Sequence, residues 1–274
     1  MSLYTIGDLH LHFGSELKIG HPQLKDRAWK NHEEKFRKNC AKLLTADDTL
    51  VLVGDHSWGK NLDVCKPDLQ YIMDLPGRKI LLRGNHDMFW DAKKTALLNN
   101  LYASKLCFLQ NNYYAYGDYA LVGTKGFVFE GPFYIDQRGR VVGWDEKNEE
   151  HAKKIVEREL ERLRTSFEAA KADGYRKYIM FLHYPPTSIL EDESVFTRMA
   201  EEYHAEQVCH GRKLRLPRDA KPVLAAVGDL PAHALQQPRP ANVRWILRAE
   251  IAARVIAEGV GVAEAKNTLH VFSP

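Results

Sequence analysis

The chain has 274 residues, of which 45% are hydrophobic and 27% charged, and its formal net charge is +3. This composition is typical of a globular protein, and the small charge argues against nucleic acid or an anionic membrane surface as a partner. The length predicts one large α/β domain or two small ones. No stretch approaches the roughly 20 apolar residues of a membrane span.

The cysteines are widely spaced and show no paired pattern, which favours unpaired thiols in a reducing compartment. The sequence opens with a predicted strand rather than a basic segment and a long apolar run, so no secretory signal is apparent. We therefore expect a cytoplasmic location, and nothing in the sequence indicates an oligomeric state. The cysteines are Cys40, Cys65, Cys107 and Cys209.

The first part of the chain predicts strands that alternate with helices. Residues 2–7, 49–53 and 78–82 are short apolar runs, each next to a glycine, as expected of buried strands. Helical spacing follows at 29–44 and again at 68–75, where Pro76-Gly77 ends the pattern. This alternation predicts a parallel sheet with right-handed crossovers.

The second part predicts a change of architecture. The runs 106–109, 113–116 and 119–122 are separated by Asn111-Asn112 and Gly117-Asp118, which suit tight turns, so we expect antiparallel pairing here. A long charged helix is predicted over 144–171. A further buried strand is predicted over 178–182.

Residues 211–274 differ from the rest and form a predicted atypical C-terminal segment. They are rich in Arg and Ala, hold half of the chain's 12 prolines and contain only two aromatic residues, Trp245 and Phe272. A helix over 239–259 is one expectation, and a poorly ordered segment is the other. A change of reading frame near residue 210 is a further hypothesis, which resequencing of the source gene would test.

Polar side chains follow each predicted strand of the sheet. Asp8 and His10 follow the first, Asp55 the second, and Asn85-His86-Asp87 the third, while His183 follows 178–182. The carboxyl ends of neighbouring parallel strands open into one crevice. In an extended segment, residues two apart point the same way, so we expect Asp8 and His10 to face one cation.

Four segments in this order resemble the motifs of the calcineurin-like metallophosphoesterase family. They are Gly-Asp-Leu-His, Gly-Asp-His-Ser-Trp, Gly-Asn-His-Asp and His-Tyr-Pro-Pro, and the resemblance covers about residues 2–210. It implies a metallophosphoesterase domain over 1–210, folded as a four-layer α/β/β/α sandwich around a dinuclear metal centre. The cofactors would be two divalent ions, Mn²⁺ first and Fe or Zn²⁺ as alternatives, since oxygen and imidazole donors suit these metals.

The resemblance also implies a role for each residue. Asp8 and His10 would bind the first metal, Asp55 would bridge both, and Asn85 and His183 would bind the second. His86 would contact the phosphate and protonate the leaving oxygen, with Asp87 orienting its ring.

The chain departs from the family pattern at two places. Trp58 stands where the family usually has Asp or Asn. The closing His-x-His pair is incomplete: if His210 is its second histidine, Val208 replaces the first, which is our preferred interpretation. If His210 is instead the first histidine, Arg212 replaces the second. The candidates to supply the missing ligand are His204, His233 and Cys209.

The sequence therefore predicts a phosphoesterase that acts on phosphomonoesters or phosphodiesters through a metal-bridging water or hydroxide. The alternative is an inactive or weakly active metal-binding paralogue that lacks one histidine ligand. A nuclease would use the same chemistry but would need a basic groove, which the charge balance does not indicate.

Overall fold

A computed structural model describes residues 1–18, 21–25, 29–103, 105–128, 133–135, 141–144, 146–187, 193–211 and 246–248. The first half of the chain builds a parallel sheet in which neighbouring strands follow chain order. Its strands are β1 (Leu3–Ile6), β2 (Thr49–Leu52), β3 (Arg78–Leu82) and β4 (Cys107–Leu109). Its connections contain α1 (Pro22–Lys25), α2 (His32–Leu43), α3 (Leu62–Met73), the 3-10 helix Ala92–Lys94 and α4 (Thr95–Tyr102).

The helices of this half lie on one face of the sheet. Successive right-handed crossovers that move in one direction along a sheet place their helices on the same side. Phe36 of α2, Leu69 of α3 and Leu98 of α4 are buried in one cluster with Leu50 and Leu81 of the strands.

The predicted strands are confirmed, and both predicted helices have different starting points. The helix predicted over 29–44 begins at His32. The helix predicted over 68–75 begins at Leu62 and includes Pro67. A proline inside a helix normally favours a boundary because it lacks an N–H, but the side chain of Asn61 caps the earlier start by accepting from Val64 N.

The second half of the chain builds the other large sheet and, from β7 and β8, a separate two-stranded sheet. Its elements are β5 (Tyr114–Tyr116), β6 (Tyr119–Thr124), the hairpin strands β7 (Phe133–Ile135) and β8 (Val141–Trp144), α5 (Glu146–Ala172), β9 (Lys177–Leu182), α6 (Val195–Glu202), β10 (Gln207–His210) and β11 (Ile246–Arg248). The strand order is β11-β10-β9-β6-β5. Only the β5–β6 pair of this sheet is antiparallel among the described residues, and the other neighbours are parallel.

The antiparallel expectation for 106–122 is half right. The β5–β6 hairpin is confirmed, with Gly117 in the left-handed conformation at its turn. The prediction is wrong for 106–109, because β4 pairs in parallel with β3 in the first sheet. Asn111, also left-handed, lies in the link that carries the chain from the first sheet to the second.

The two sheets pack face to face, which confirms the predicted four-layer α/β/β/α sandwich. Val53 and Leu82 of the first sheet meet Leu121 and Phe181 of the second in one apolar layer. On the outer face of the second sheet, α5 and α6 cover Met180 and its neighbours. Both sheets are therefore buried on both faces across much of their area, which explains their nearly continuous apolar strands.

Most of the atypical segment 211–274 lies outside the described residues. Of the helix predicted over 239–259, the structure describes only Ile246–Arg248, and these residues form an extended strand beside β10. At these positions the helix prediction is wrong, because pairing with the edge of the sheet satisfies backbone groups that β10 would otherwise leave open. No helix in the described residues combines the length and apolar character that crossing a membrane would require.

Candidate metal centre

The loops after β1 and β2 run side by side and remain hydrogen-bonded beyond the strands. Asp8 N donates to Gly54 O at 3.0 Å, and His10 N donates to Asp55 O at 2.9 Å. Leu11 N then donates to His56 O at 2.9 Å. This pairing fixes the spacing between the first two strand ends and the side chains that they carry.

Asp8, His10 and Asp55 all have left-handed backbone conformations, with φ of 58°, 47° and 56°. Such values are uncommon for residues with a Cβ and concentrate at functional sites. The sequence argument that Asp8 and His10 converge because they are two apart in an extended segment is therefore wrong in its geometry. They converge because the backbone turns through left-handed residues after β1 ends.

Two glycines allow the strand ends to approach each other closely. A Cβ on Gly84 would lie 2.1 Å from Asp55 Oδ1 and 2.2 Å from Asp55 N. A Cβ on Gly54, whose φ is +101°, would lie 2.5 Å from His183 Nδ1. Any larger residue at these positions would push the candidate ligands apart.

The first group of candidate ligands is compact. Among the described residues, donor atoms of Asp8, His10 and Asp55 lie within 4.8 Å of one another. His10 Nε2 is 3.6 Å from Asp8 Oδ1 and 3.7 Å from Asp55 Oδ2. The structure thus brings together Asp8 and His10, which the resemblance assigns to the first metal, and Asp55, which it assigns to both metals.

A second group of side chains also converges on Asp55. His183 Nε2 is 3.4 Å from Asp55 Oδ2 and 2.9 Å from Asn85 Oδ1. The His183 ring is fully buried, and its Nδ1 is 2.9 Å from Val53 O, where a ring N–H would donate to the carbonyl. That bond orients the ring and directs Nε2 toward the two oxygens, as an outer partner does for a metal-bound histidine.

Asp55 Oδ2 is the point on which the candidate centre converges. The Nε2 atoms of His183, His10 and His86 surround it at 3.4, 3.7 and 4.0 Å. Burial alone would raise the pKa of Asp55, but the hydrogen bond and charge of His183, the charge of His10 and the backbone N–H of His86 outweigh burial and lower it well below its usual range. Asp55 is therefore a buried carboxylate that stays ionised.

The interaction between Asp55 and His183 also shifts the pKa of His183 upward. Burial by itself would lower this pKa, but the hydrogen bond to Asp55 and the charges of Asp55 and Asp8 raise it. The surroundings therefore favour positive charge at Nε2. A divalent cation between these donors would supply that charge without a proton.

Two buried donor atoms without hydrogen-bond partners in the described part of the chain also indicate that this site suits divalent ions. Asp8 Oδ2 and His10 Nδ1 are buried, and among the described residues neither has a hydrogen-bond partner. A buried carboxylate oxygen without a partner is costly, and metal coordination is one way to offset that cost. Carboxylate, amide and imidazole donors are the types that Mn²⁺, Fe and Zn²⁺ accept.

His86 and Asp87 have different surroundings. The side chain of His86 is 39% exposed beside the buried Asp55. Asp87 is fully buried, and its carboxylate accepts from the backbone N–H groups of Asp55, His56 and Gly84 at 2.9, 2.8 and 2.7 Å. These bonds join the loop after β2 to the loop after β3. The orienting of the His86 ring by Asp87 stays a prediction.

The preferred interpretation of the last motif, with His210 as its second histidine and Val208 in place of the first, stays a prediction. Val208 is buried in the apolar cluster between the second sheet and the helices α5 and α6. Position 208 therefore faces the core. His210, at the end of β10, is also buried but does not belong to the Asp8, His10 and Asp55 group, and its ligand role stays a prediction.

The end of β10 nevertheless reaches the candidate centre. A Cβ on Gly211 would lie 3.5 Å from Asp8 Oδ2 and 3.0 Å from Val53 O. Arg212 and His233 lie outside the described residues. His204 is an exposed residue in the turn after α6.

Sequence reasoning missed the aromatic wall of the centre. The Trp58 ring stacks on His10, with centroids 4.6 Å apart and planes at 17°, and meets the His86 ring edge-on at 4.5 Å. Trp58 Nε1 donates to Gln23 Oε1 at 2.6 Å, and Gln23 Nε2 donates to His10 O at 3.0 Å. Trp29 completes this wall, with its ring centroid 5.6 Å from that of His10. The sequence signal for the wall was a tryptophan, Trp58, close after the candidate ligand Asp55.

Comparison with known proteins adds the following. No curated protein matches this chain in sequence. Among solved structures, a protein of unknown function from Aquifex aeolicus has 19% identity and a TM-score of 0.37, covering 75% of this chain and 87% of its own. A protein from Thermus thermophilus has 10% identity and a TM-score of 0.47, with 77% and 81% covered. A phosphopantetheinyl hydrolase from Mycobacterium tuberculosis has 14% identity and a TM-score of 0.41, with 79% and 84% covered.

A family model also matches this chain in sequence. The model described as calcineurin-like phosphoesterase matches residues 1–211, which include Asp8, His10, Asp55, Asn85, His183 and His210. The chain therefore belongs to the calcineurin-like phosphoesterase family.

Proposed function

We propose that this protein hydrolyses phosphomonoesters or phosphodiesters at a centre of two divalent metal ions. Family membership supports a metal-dependent hydrolase. The observation that carries the dinuclear proposal is the approach of both His10 Nε2 and His183 Nε2 to Asp55 Oδ2, at 3.7 and 3.4 Å. A carboxylate oxygen that two separate imidazoles approach is the arrangement that a bridging ligand requires.

The proposed ligands fall into two sets that share Asp55. Asp8 and His10 would hold one ion, and Asn85 and His183 would hold the other. When bound, a pair of divalent ions lowers the pKa of a bridging water and offsets charge on the phosphoryl oxygens. The residues of this chain contribute by holding the two sets at a fixed spacing, through the paired loops and the close approach at Gly84.

His86 is the proposed proton donor to the leaving oxygen. Its backbone N–H donates to Asp55 Oδ1 at 2.8 Å, which ties its position to the bridging carboxylate. Its side chain is more exposed than those of His10 and His183. An exposed imidazole beside buried ligands is placed to meet a substrate, and general-acid assistance contributes about 10²–10⁴ in rate.

We propose Mn²⁺ as the working metal, with Fe or Zn²⁺ as alternatives, on the basis of the mixed donor set. A cytoplasmic location stays our expectation, because the four cysteines are buried and unpaired and such thiols suit a reducing compartment.

Hydrolysis of aryl phosphomonoesters and phosphodiesters in the presence of Mn²⁺ tests the proposal. Metal-stripped protein should be inactive, and added Mn²⁺ should restore turnover. His86→Ala should lower kcat by about 10²–10⁴ while metal content stays unchanged. His151→Ala, an exposed histidine on α5, should match the unaltered protein.

Two results would contradict the proposal. The first is the absence of metal-dependent turnover in protein that is folded by circular dichroism. The second is unchanged turnover in His86→Ala. Folded protein that binds one ion and turns over neither substrate would instead support the alternative of an inactive metal-binding paralogue.

A further inference from the structure

Four basic residues gather beside the candidate metal centre, where β3, β6 and α5 approach one another. We call this group the cationic cluster. Arg83 follows β3 directly, Lys125 follows β6, and two arginines come from one turn of α5. The cluster consists of Arg83, Lys125, Arg158 and Arg162.

Lys125 is fixed next to the candidate ligand His183. Its backbone carbonyl accepts from His183 N at 3.1 Å and from Tyr184 N at 2.9 Å. Its Nζ lies 5.5 Å from the centre of the Tyr184 ring and 5.9 Å from that of Phe127. The ammonium therefore sits against two aromatic rings and forms no ion pair within the described residues.

Arg83 directly follows β3 of the first sheet, as Lys125 directly follows β6 of the second. It is the residue between β3 and Gly84, two residues before the candidate ligand Asn85. Its Nε is buried and has no hydrogen-bond partner among the described residues. A guanidinium with a buried donor left open is suited to a planar or tetrahedral oxyanion.

Glu159 is the carboxylate among the charged neighbours of Lys125, and its oxygens are already engaged. This fully buried residue accepts from Thr124 Oγ1 at 2.6 Å and from Arg162 Nη1 at 2.6 Å. Arg158 Nε lies 3.8 Å from it. Among the charged groups that act on Lys125, Glu159 is one carboxylate beside three arginines, and this excess of positive charge favours an anion from outside the chain.

The pKa of Lys125 agrees with this excess of positive charge. Burial lowers it most, and Arg83, Arg158 and Arg162 lower it further, while Glu159 acts in the opposite direction.

We propose that the cationic cluster binds a second phosphate group of the substrate, so that preferred substrates are phosphoesters with a further phosphate near the scissile one. This inference rests on the proposed function, in which the metal ions already offset the charge of the scissile group. Lys125 and Arg83 would then contact the second phosphate and determine specificity.

The first arm measures binding without turnover. Inorganic pyrophosphate and inorganic phosphate are titrated into metal-free protein by isothermal calorimetry. Pyrophosphate should bind more tightly, and Lys125→Ala should weaken it roughly tenfold, as expected for the loss of one charge-assisted hydrogen bond. Lys125→Arg should keep most of the affinity. Absence of pyrophosphate binding, or the same affinity in Lys125→Ala, would overturn the inference.

The second arm measures specificity in Mn²⁺-loaded protein. An aryl phosphate that carries a second phosphate on the ring is compared with the same compound carrying a carboxylate or no second charge. The doubly phosphorylated compound should have the lowest KM, and Lys125→Ala should remove this preference, so that the KM values of the doubly and singly phosphorylated compounds become similar. An equal preference for the carboxylate compound would overturn the assignment to phosphate.

Lys177→Ala is the charge-matched control. Lys177 begins β9, at the end of the strand opposite His183, so it lies roughly 20 Å away at about 3.3 Å per residue. It should leave both arms unchanged. Pyrophosphate binding that depends on Lys125, in protein without any turnover, would contradict the proposed function and leave the anion site standing.

Discussion

Asp87→Asn is the substitution that most sharply tests how the loops of the centre are held. The Asp87 carboxylate accepts three backbone hydrogen bonds: Oδ2 from Asp55 and Gly84, and Oδ1 from His56. An asparagine has the same shape but only one acceptor oxygen. In its best orientation it keeps two bonds, while its NH₂ group faces the N–H of His56.

The magnitude follows from these three bonds. A hydrogen bond to a charged group contributes about 1.5–3 kcal/mol against about 1 kcal/mol for a neutral one, and a buried donor without a partner costs about 1–3 kcal/mol. One lost and two weakened bonds should lower the free energy of unfolding by about 3 kcal/mol. For a chain of this size that corresponds to a fall in Tm of about 6–12 °C.

The loss should also reach the metal centre, because Asp87 connects the loop of Asp55 to the loop of Asn85. Loosening an outer contact of this kind costs about 10–100-fold in metal affinity. The assay is thermal unfolding of metal-free protein followed by Mn²⁺ titration of the folded protein at 25 °C.

Asp48→Asn provides a matched control. Asp48 directly precedes β2 and so lies at the end of this strand opposite the metal centre. Asp48 is also buried and accepts three hydrogen bonds, from Ser2 N at 2.5 Å and from Thr45 N and Oγ1 at 2.8 Å each. It should lower Tm to a similar extent and leave Mn²⁺ affinity unchanged. Equal loss of affinity in both variants, or an unchanged Tm in Asp87→Asn, would refute the reasoning. A lower kcat with normal stability and metal affinity would instead support the orienting of His86.

Three further predictions use simple assays. Asp55→Asn should lower both Mn²⁺ content and hydrolysis, because it removes the carboxylate shared by both ligand sets; normal metal content by elemental analysis would argue against bridging. Trp58→Leu should weaken Mn²⁺ binding roughly threefold to tenfold through loss of its stacking on His10, Trp58→Phe should retain most of it, and equal effects would contradict a role for the ring. Burial raises the pKa of Cys40 and of Cys209 to about 12, which keeps both thiols protonated at pH 8. A disulfide reagent should therefore label them only after unfolding. Rapid labelling of the native protein would contradict their burial.

The strand ends could be predicted from the sequence because their signal is local. An apolar run followed by Gly-Asp or Gly-Asn-His ends a strand and supplies a ligand within three residues. Sheet topology then determines that the side chains meet, since parallel neighbours present their carboxyl ends at one edge. Asp8, Asp55, Asn85 and His183 accordingly lie where the motif order predicts.

Other features depend on contacts that a local pattern does not contain. The left-handed conformations of Asp8 and His10 follow from pairing with the loop after β2, more than 40 residues away. The same is true of β4, which resembles the strands of the following hairpin but belongs to the first sheet. The start of helix α6 could be predicted from the sequence, because Ser194 and Thr197 form a capping box there.

The position of Val208 shows the limit of assigning roles from a degraded motif. Counting back from His210 placed a lost ligand at 208, yet alternation along β10 turns that side chain into the apolar core. The strand reaches the centre at Gly211 instead, beside Asp8.

The number of Mn²⁺ ions held by each folded chain tests the central claim most directly. Titration of metal-stripped protein, followed by elemental analysis after removal of free metal, should give two ions per chain, and the spin-coupled signal of a close manganese pair should be present in the loaded protein. A stoichiometry of one or none, or two ions without magnetic coupling, would contradict a dinuclear centre built around Asp55.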